Sequence, residues 1–297
     1  QELELDSNTI ENYQTYGIYA RPTVGSNWKI RNNTISTIRD IGMYIKNHNG
    51  GDGGLFTNNI INGVSAGEGI NITSSGATVS ENRVFGVVEG TGIVVNGANA
   101  LVANNYIQCE GIGIAKGISL QSGGSGSKVV YNSVNITGTD VVNGQAIEVI
   151  GGSGYMVKNN IFANNGGGYA AYISIDISSF DWDYNDYFST KNKIANYQGI
   201  DYDSLSTFVA ASGLDFNSYA VNPYYQGNTI LIMNHTLLDK SALTIAETNI
   251  DIEGATRDVL PDIGAKEYDL CVNDAGINSF LYLSNPLSTG NTAIKVE

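Results

Sequence analysis

The residues of this chain whose type and spacing could do chemistry are acidic. Asp181, Asp183 and Asp186 fall together in FDWDYNDY. If that stretch is extended, side chains two apart share a face, so Asp181 and Asp183 project together while Trp182 points inward. Two carboxylates on one face could serve as general acid and base or nucleophile in glycosidic cleavage, their separation fixing the outcome. Glu148, alone in a mid-strand setting, is a further candidate general acid. A plainer account competes with catalysis. Lys158 stands 25 residues before Asp183, the interval of an internal repeat, so an ion pair between neighbouring repeats explains part of the cluster.

Metal chemistry has little to work with. There are two histidines, His48 and His235, and two cysteines, Cys109 and Cys271, none at the spacing of a zinc site. The segment NHNGGDGG (47–54) offers Asn and Asp oxygens, the donors that suit Ca²⁺, but one Asp among glycines carries too little charge to hold it. No metal site and no cofactor are expected, Ca²⁺ being the one ion with donors of the right kind.

Composition narrows the partners. Fifteen basic residues against 29 acidic give a net charge of −14, which excludes a nucleic-acid binder built on clustered Lys and Arg. No apolar run is long enough for a membrane-spanning helix, so no membrane insertion is expected. The opening QELELDSNTIEN lacks the basic and apolar regions of a signal peptide and reads as the interior of a repeat, so a mature or truncated start is expected. Only 15% of residues are charged, while 36 glycines and 35 asparagines supply turn-formers; together they indicate β-structure with many tight corners.

The elements that would position these residues come from a repeat. An asparagine in an apolar-x-Asn-x-apolar setting recurs at 8, 33, 59, 82, 105, 132, 160 and 185, at intervals of 23 to 28 residues. Three positions before it stand Leu5, Ile30, Phe56, Val79, Val102, Val129, Val157 and Trp182; two after it, Ile10, Ile35, Ile61, Val84, Ile107, Val134, Phe162 and Tyr187. A second strand, opened by Gly or Ala and alternating apolar with variable positions, follows in each repeat: YGIYA, IGMYI, EGINI, TGIVV, KGISL, QAIEV and AYISI. Each repeat is one coil of a right-handed parallel β-helix of about eight coils, an all-β solenoid spanning residues 1–190. The asparagine is expected at an αL corner, stacked with its counterparts in a ladder.

In this frame the outward positions of the second strand are Tyr19, Tyr44, Asn71, Val94, Ser119, Glu148 and Ser174. Two residues further on lie Arg21, Lys46, Thr73, Asn96, Gln121, Ile150 and Asp176. Tyr19 and Tyr44 should stack on adjacent coils with Arg21 and Lys46 beside them, offering aromatic faces to sugar rings, while Asn71, Asn96 and Gln121 offer hydrogen bonds to hydroxyls. A tyrosine ladder that only stabilises cross-strand packing accounts for the same pattern. After Asn185 the period stops. Residues 191–270 are expected to form a C-terminal cap, with a short helix in DSLSTFVAAS (203–212) capped by Asp203 and a strand in TILIM (229–233), plugging the open end of the solenoid.

The segments GLDFNSYAVNPYY (213–225) and RDVLPDIGAKEY (257–268) resemble the close of a large family of extracellular right-handed β-helix proteins from Bacteroidetes, within the pectate-lyase-like superfold. Repeats and ending together cover about residues 1–268. The tail CVNDAGINSFLYLSNPLSTGN, within residues 271–297, looks like a linker or the opening strand of an appended immunoglobulin-like module. The resemblance implies a secreted or cell-surface protein with further domains in the same polypeptide. It leaves activity open, since the superfold carries lyases, hydrolases and non-catalytic binders alike. The lyase-like Arg-x-Pro-x-x-Arg pattern is missing, as Arg21-Pro22 lacks the second arginine, and the Asp-Asp and Gly-His-Gly motifs of the hydrolases are absent. The expectation is therefore a glycan-binding or adhesion module without chemistry of its own, whose partner is a polysaccharide or surface glycan. A lyase or hydrolase with a divergent site on the outward face, and a rigid spacer, remain as alternatives.

Overall fold

The computed structural model describes residues 2–22, 27–46 and 53–268. Eight short parallel strands, from Glu2–Asp6 to Asp181–Asp183, stack into a first sheet, and the remaining coil strands build a second sheet that bends round the other side. The result is a right-handed solenoid of about seven turns. In the fourth and fifth coils the two strand segments of the second sheet fuse into single long strands, Arg83–Val95 and Tyr106–Leu120.

Register and core agree with the repeat. The inward column runs Leu5, Ile30, Phe56, Val79, Val102, Val129, Val157, Trp182 in direct pairing. The column from Ile10 to Tyr187 does the same. All but the terminal Leu5 and Ile10 are fully or almost fully buried. In the first five coils a glycine opens the second strand where its neighbours crowd it: a Cβ on Gly69 would lie 2.3 Å from Val84 Cγ1 and 2.5 Å from the Gly92 carbonyl oxygen.

The asparagine ladder is continuous from Asn8 to Asn185. Each Oδ1 accepts both the backbone N–H and the Nδ2 of the asparagine one coil earlier; for Asn105 and Asn132 the distances are 3.1 and 2.9 Å. Each Nδ2 also reaches a strand carbonyl, as Asn105 does to Val79 at 3.0 Å. From Asn33 onward the rungs are buried, and a buried amide so bonded carries no desolvation deficit. One expectation is corrected. The αL residue is the one before each rung, namely Ser7, Asn32, Asn58, Glu81, Asn104, Tyr131, Asn159 and Tyr184, with φ between 53° and 60°. The rung itself is needed for its side chain.

The cap also differs from expectation. Pairing continues past 190, because Ala195–Tyr197 adds to Tyr169–Ile173 and is closed by antiparallel Ile200–Tyr202. The helix Leu205–Ser212 covers the end of the core with Phe208, packed among Tyr187, Tyr197 and Tyr202. Its N-cap is Ser204, whose hydroxyl accepts from the Thr207 N–H, rather than Asp203. The last ladder rung, with no ninth coil to bond, is met by Ser218 and Asp215. Residues 219–268 do not plug the end. They form a strap that runs back over the corner between the two sheets, burying Met233, Leu238, Ala242, Ile245 and Ile263 against Ala103 and Val130 of the first sheet, Tyr131 of the corner, and Ile161 and Ala163 of the second. Residues 229–233 are not a strand. In PDIGAKEY, Gly264 takes φ 103° where its backbone crosses Ile161 and Ser133, donating its N–H to the Asn159 carbonyl. The expected module at 271–297 and most of the 47–54 segment lie outside the described residues.

Candidate functional site

The outward column of the second strand is aligned as expected through six coils: Tyr19, Tyr44, Asn71, Val94, Ser119, Glu148. At the seventh coil the register differs. Tyr172, not Ser174, pairs with Glu148, and Asn196 follows. Ser174 thus moves to the neighbouring column and Asp176 leaves the face. Laying AYISI on KGISL puts Tyr172 at the small opening position; the structure puts Ala170 there, opposite Ala146, two residues earlier.

At the first two coils this face presents three tyrosines. Tyr19 and Tyr44 meet edge to face at 5.5 Å between centroids, and Tyr16 stacks on Tyr44 at 5.6 Å. Tyr19 stays 40% exposed. Lys46 places its ammonium 5.8 Å from the Tyr44 ring centre, and Arg21 follows Tyr19 in the same strand direction. Tyr16 was not singled out from the sequence, although its place just before the opening glycine puts it beside Tyr19. One coil further, Asn71 donates to Glu68 at 2.5 Å while its own Oδ1 is buried without a partner among the described residues. Asn96 accepts the Gly123 N–H at 2.8 Å, and Gln121 lies half-buried beside it.

Toward the sixth and seventh coils the same face closes on itself. Glu148 is 6% exposed; Lys116 donates to one carboxylate oxygen at 2.6 Å and Ser119 to the other at 2.7 Å. The Tyr169 hydroxyl donates to Asp201 at 2.9 Å, and burial, with that carboxylate beside it, pushes it up to about 12. Asn196 donates to the same Asp201 oxygen, and Lys193 sits 4.3 Å from the Tyr169 ring centre. Gln145 Oε1 and Asn196 Oδ1 are buried acceptors without partners among the described residues.

The aspartate cluster is dispersed. Asp181 is exposed and pairs with Lys158 at 2.6 Å, an ion pair between coils as the repeat interval suggested, though with Asp181 instead of Asp183. Asp183 accepts from the backbone and side-chain nitrogens of Asn217 at 2.8 and 2.7 Å, pinning the turn after the helix. Asp186 is fully buried, accepts the Val221 N–H at 2.9 Å, and is pushed up to about 8 by burial. Asp181 and Asp183 flank the inward Trp182 as expected, but each is held by a protein partner.

No group of three or more His, Cys, Asp or Glu capable of holding a metal occurs among the described residues. His235 stacks on Tyr224, and Cys109 is buried with its thiol pushed up by burial.

The right-handed solenoid finds its counterpart in one comparison. The family described as right handed beta helix region matches residues 17–176, more than half of the chain. The chain belongs to that family. No curated protein matches it. The matched span of this β-helix contains Tyr19 and Tyr44 of the tyrosine cluster, the ladder from Asn33 to Asn160, and Glu148. It ends before the aspartates at 181–186 and before the strap. No described helix of the β-helix is long and apolar enough to cross a membrane.

Proposed function

We propose that this β-helix is a secreted or cell-surface module that binds a glycan along the outward face of the second sheet and performs no chemistry there. The observation that carries the reading is the exposed cluster of Tyr16, Tyr19 and Tyr44, flanked by Lys46 and Arg21 and continued by Asn71, Asn96 and Gln121. Aromatic faces take the apolar side of a sugar ring, and amides take its hydroxyls. Successive coils are spaced ~4.8 Å apart, so a strip of this kind offers a row of contacts to an extended chain instead of one enclosed pocket. The partner of Glu148 at either carboxylate oxygen, and the partners of Asp181 and Asp183, favour binding over catalysis. No cofactor enters this reading, and further domains of the same polypeptide would anchor or present the module.

The test is affinity electrophoresis against a panel of plant, algal and host polysaccharides. Tyr19→Ala with Tyr44→Ala is expected to weaken retardation by about tenfold for whichever polymer retards the unmodified protein, a loss of ~1.4 kcal/mol. Unchanged mobility would remove the aromatic face from the argument. Incubation of the same panel, read for new reducing ends and for absorbance at 235 nm, should stay silent. New ends would replace binding with cleavage and return attention to Glu148, Asp181 and Asp183.

A further inference from the structure

At the corner where the first sheet turns into the second, the tip of the strap leaves a groove of about 480 Å³ over coils two to four. Arg31, Asn58, Glu81, Arg83 and Glu253 are among its lining residues. Two of its four charged side chains are held in ion pairs. Arg31 is held by Glu4 and Asp6, and Glu253 by Lys266. Two are not. Arg83 lies over the Tyr106 ring at 5.9 Å and reaches Asn58 Oδ1 at 3.5 Å, yet it makes no ion pair among the described residues. Glu81 occupies the αL corner that the flanking coils give to Asn58 and Asn104, with φ 56°. Asparagine accepts that backbone conformation readily and glutamate does not. Burial pushes the Glu81 carboxyl up from its ordinary value.

Among the described residues, a guanidinium without a carboxylate and a carboxyl without a cation thus line one groove, two positions apart in sequence and not paired with each other. We propose that the groove binds a small hydroxylated carboxylate, its carboxylate on the Arg83 guanidinium and a neighbouring hydroxyl on Glu81. Guanidinium recognises carboxylates through paired N–H donors, and a carboxyl accepts from hydroxyls. The volume lies in the range of small-molecule sites. This site is separate from the tyrosine face and stands without it.

Isothermal titration of the whole chain with D-glucuronate, D-glucose and inorganic sulfate tests the proposal. Glucuronate should bind the unmodified protein and outcompete both other probes. Arg83→Ala should weaken it by about tenfold or more, the effect of a charge-assisted hydrogen bond. Glu81→Asn should weaken it by about fivefold while raising the melting midpoint, because the corner then holds the residue its neighbours carry. That rise separates a ligand role from a folding defect. Absence of glucuronate binding at ~10 mM, far above the weakest affinity expected of a specific small-molecule site, would overturn the proposal. So would sulfate binding as tight as glucuronate, or unchanged binding by Glu81→Asn. Loss of glucuronate binding in the Tyr19→Ala, Tyr44→Ala protein would assign the ligand to the tyrosine face and overturn it equally.

Discussion

The outer side of the first sheet is two different surfaces on one scaffold. Over the first two coils its outward positions are Glu4, Asp6, Lys29 and Arg31, and they pair across coils, Lys29 with Glu2 at 3.2 Å and Arg31 with Asp6 at 2.8 Å. Follow the same columns onward and, beside Lys128 and Lys158, they carry Leu101, Ala103, Val130 and Met156. There the strap lies on top, with Arg257 buried among Glu267, Asn104 and the Tyr131 ring. Inward columns must be apolar in every coil and so describe only the fold. Outward columns are free to vary, and their chemistry reports what covers each coil: water over the first coils, the chain's own C-terminal segment over the later ones.

The largest break in that comparison is expected from Arg257→Ala. It strands Glu267 and leaves Asn104 short of a donor, and removing one partner of a buried pair costs about 3–5 kcal/mol. Chemical denaturation should show that loss, and hydrogen exchange should place it in the strap and coils five to seven while the first three coils keep their protection. Asn105→Ala should follow at ~3 kcal/mol, since it orphans buried groups above and below; Asn8→Ala, at the exposed end of the ladder, should cost under ~1 kcal/mol. Next, Val130→Ala beneath the strap is expected to cost about 2 kcal/mol through the cavity it leaves. Thr57→Ala, in the same column but uncovered, should stay within ~0.5 kcal/mol. Equal costs for Val130→Ala and Thr57→Ala would mean that the strap adds nothing to the face it covers.

How much of this could be read from the residues depends on what repeats. The inward columns and the asparagine rungs recur in every coil under the same packing demand, so they were legible from Leu5 to Tyr187. The αL position was not, because any residue able to bear positive φ suffices there; Ser7, Asn58, Glu81 and Tyr131 share no side-chain chemistry. The strap was misplaced because it has no period. Its location was nevertheless signalled by the outward change from Arg31 and Thr57 to Ala103 and Val130, which is visible once the columns are aligned. On the candidate face, Tyr19 and Tyr44 were legible from alternation alone. The engagement of Glu148 required knowing that Lys116, 32 residues away, lies on the same face one coil earlier.

The gentlest probe of the same contrast is pH, spread over several units instead of concentrated in one substitution. At the strap end, burial pushes Asp186 up to about 8 and Asp215 and Asp262 up to about 7, each from an ordinary value of 3.8. The folded state therefore holds protons that the unfolded chain has already released between about pH 4 and pH 8. Stability from these groups is full below about pH 4 and declines as pH rises through 7 to 8. At the first coil the sign reverses. Hydrogen bonds from Asn32 and Ser7 hold Asp6 below its ordinary value, so its contribution is present at neutral pH and fades only in acid. Hydrogen exchange compared at pH 5 and pH 8, after correction for intrinsic rates, should show the helix Leu205–Ser212 and the strap losing protection while coils one to three hold theirs. Asp186→Asn should flatten part of that decline, because an amide has no proton to lose. An equal decline at both ends would mean that the buried acids do not set the pH response of the cap.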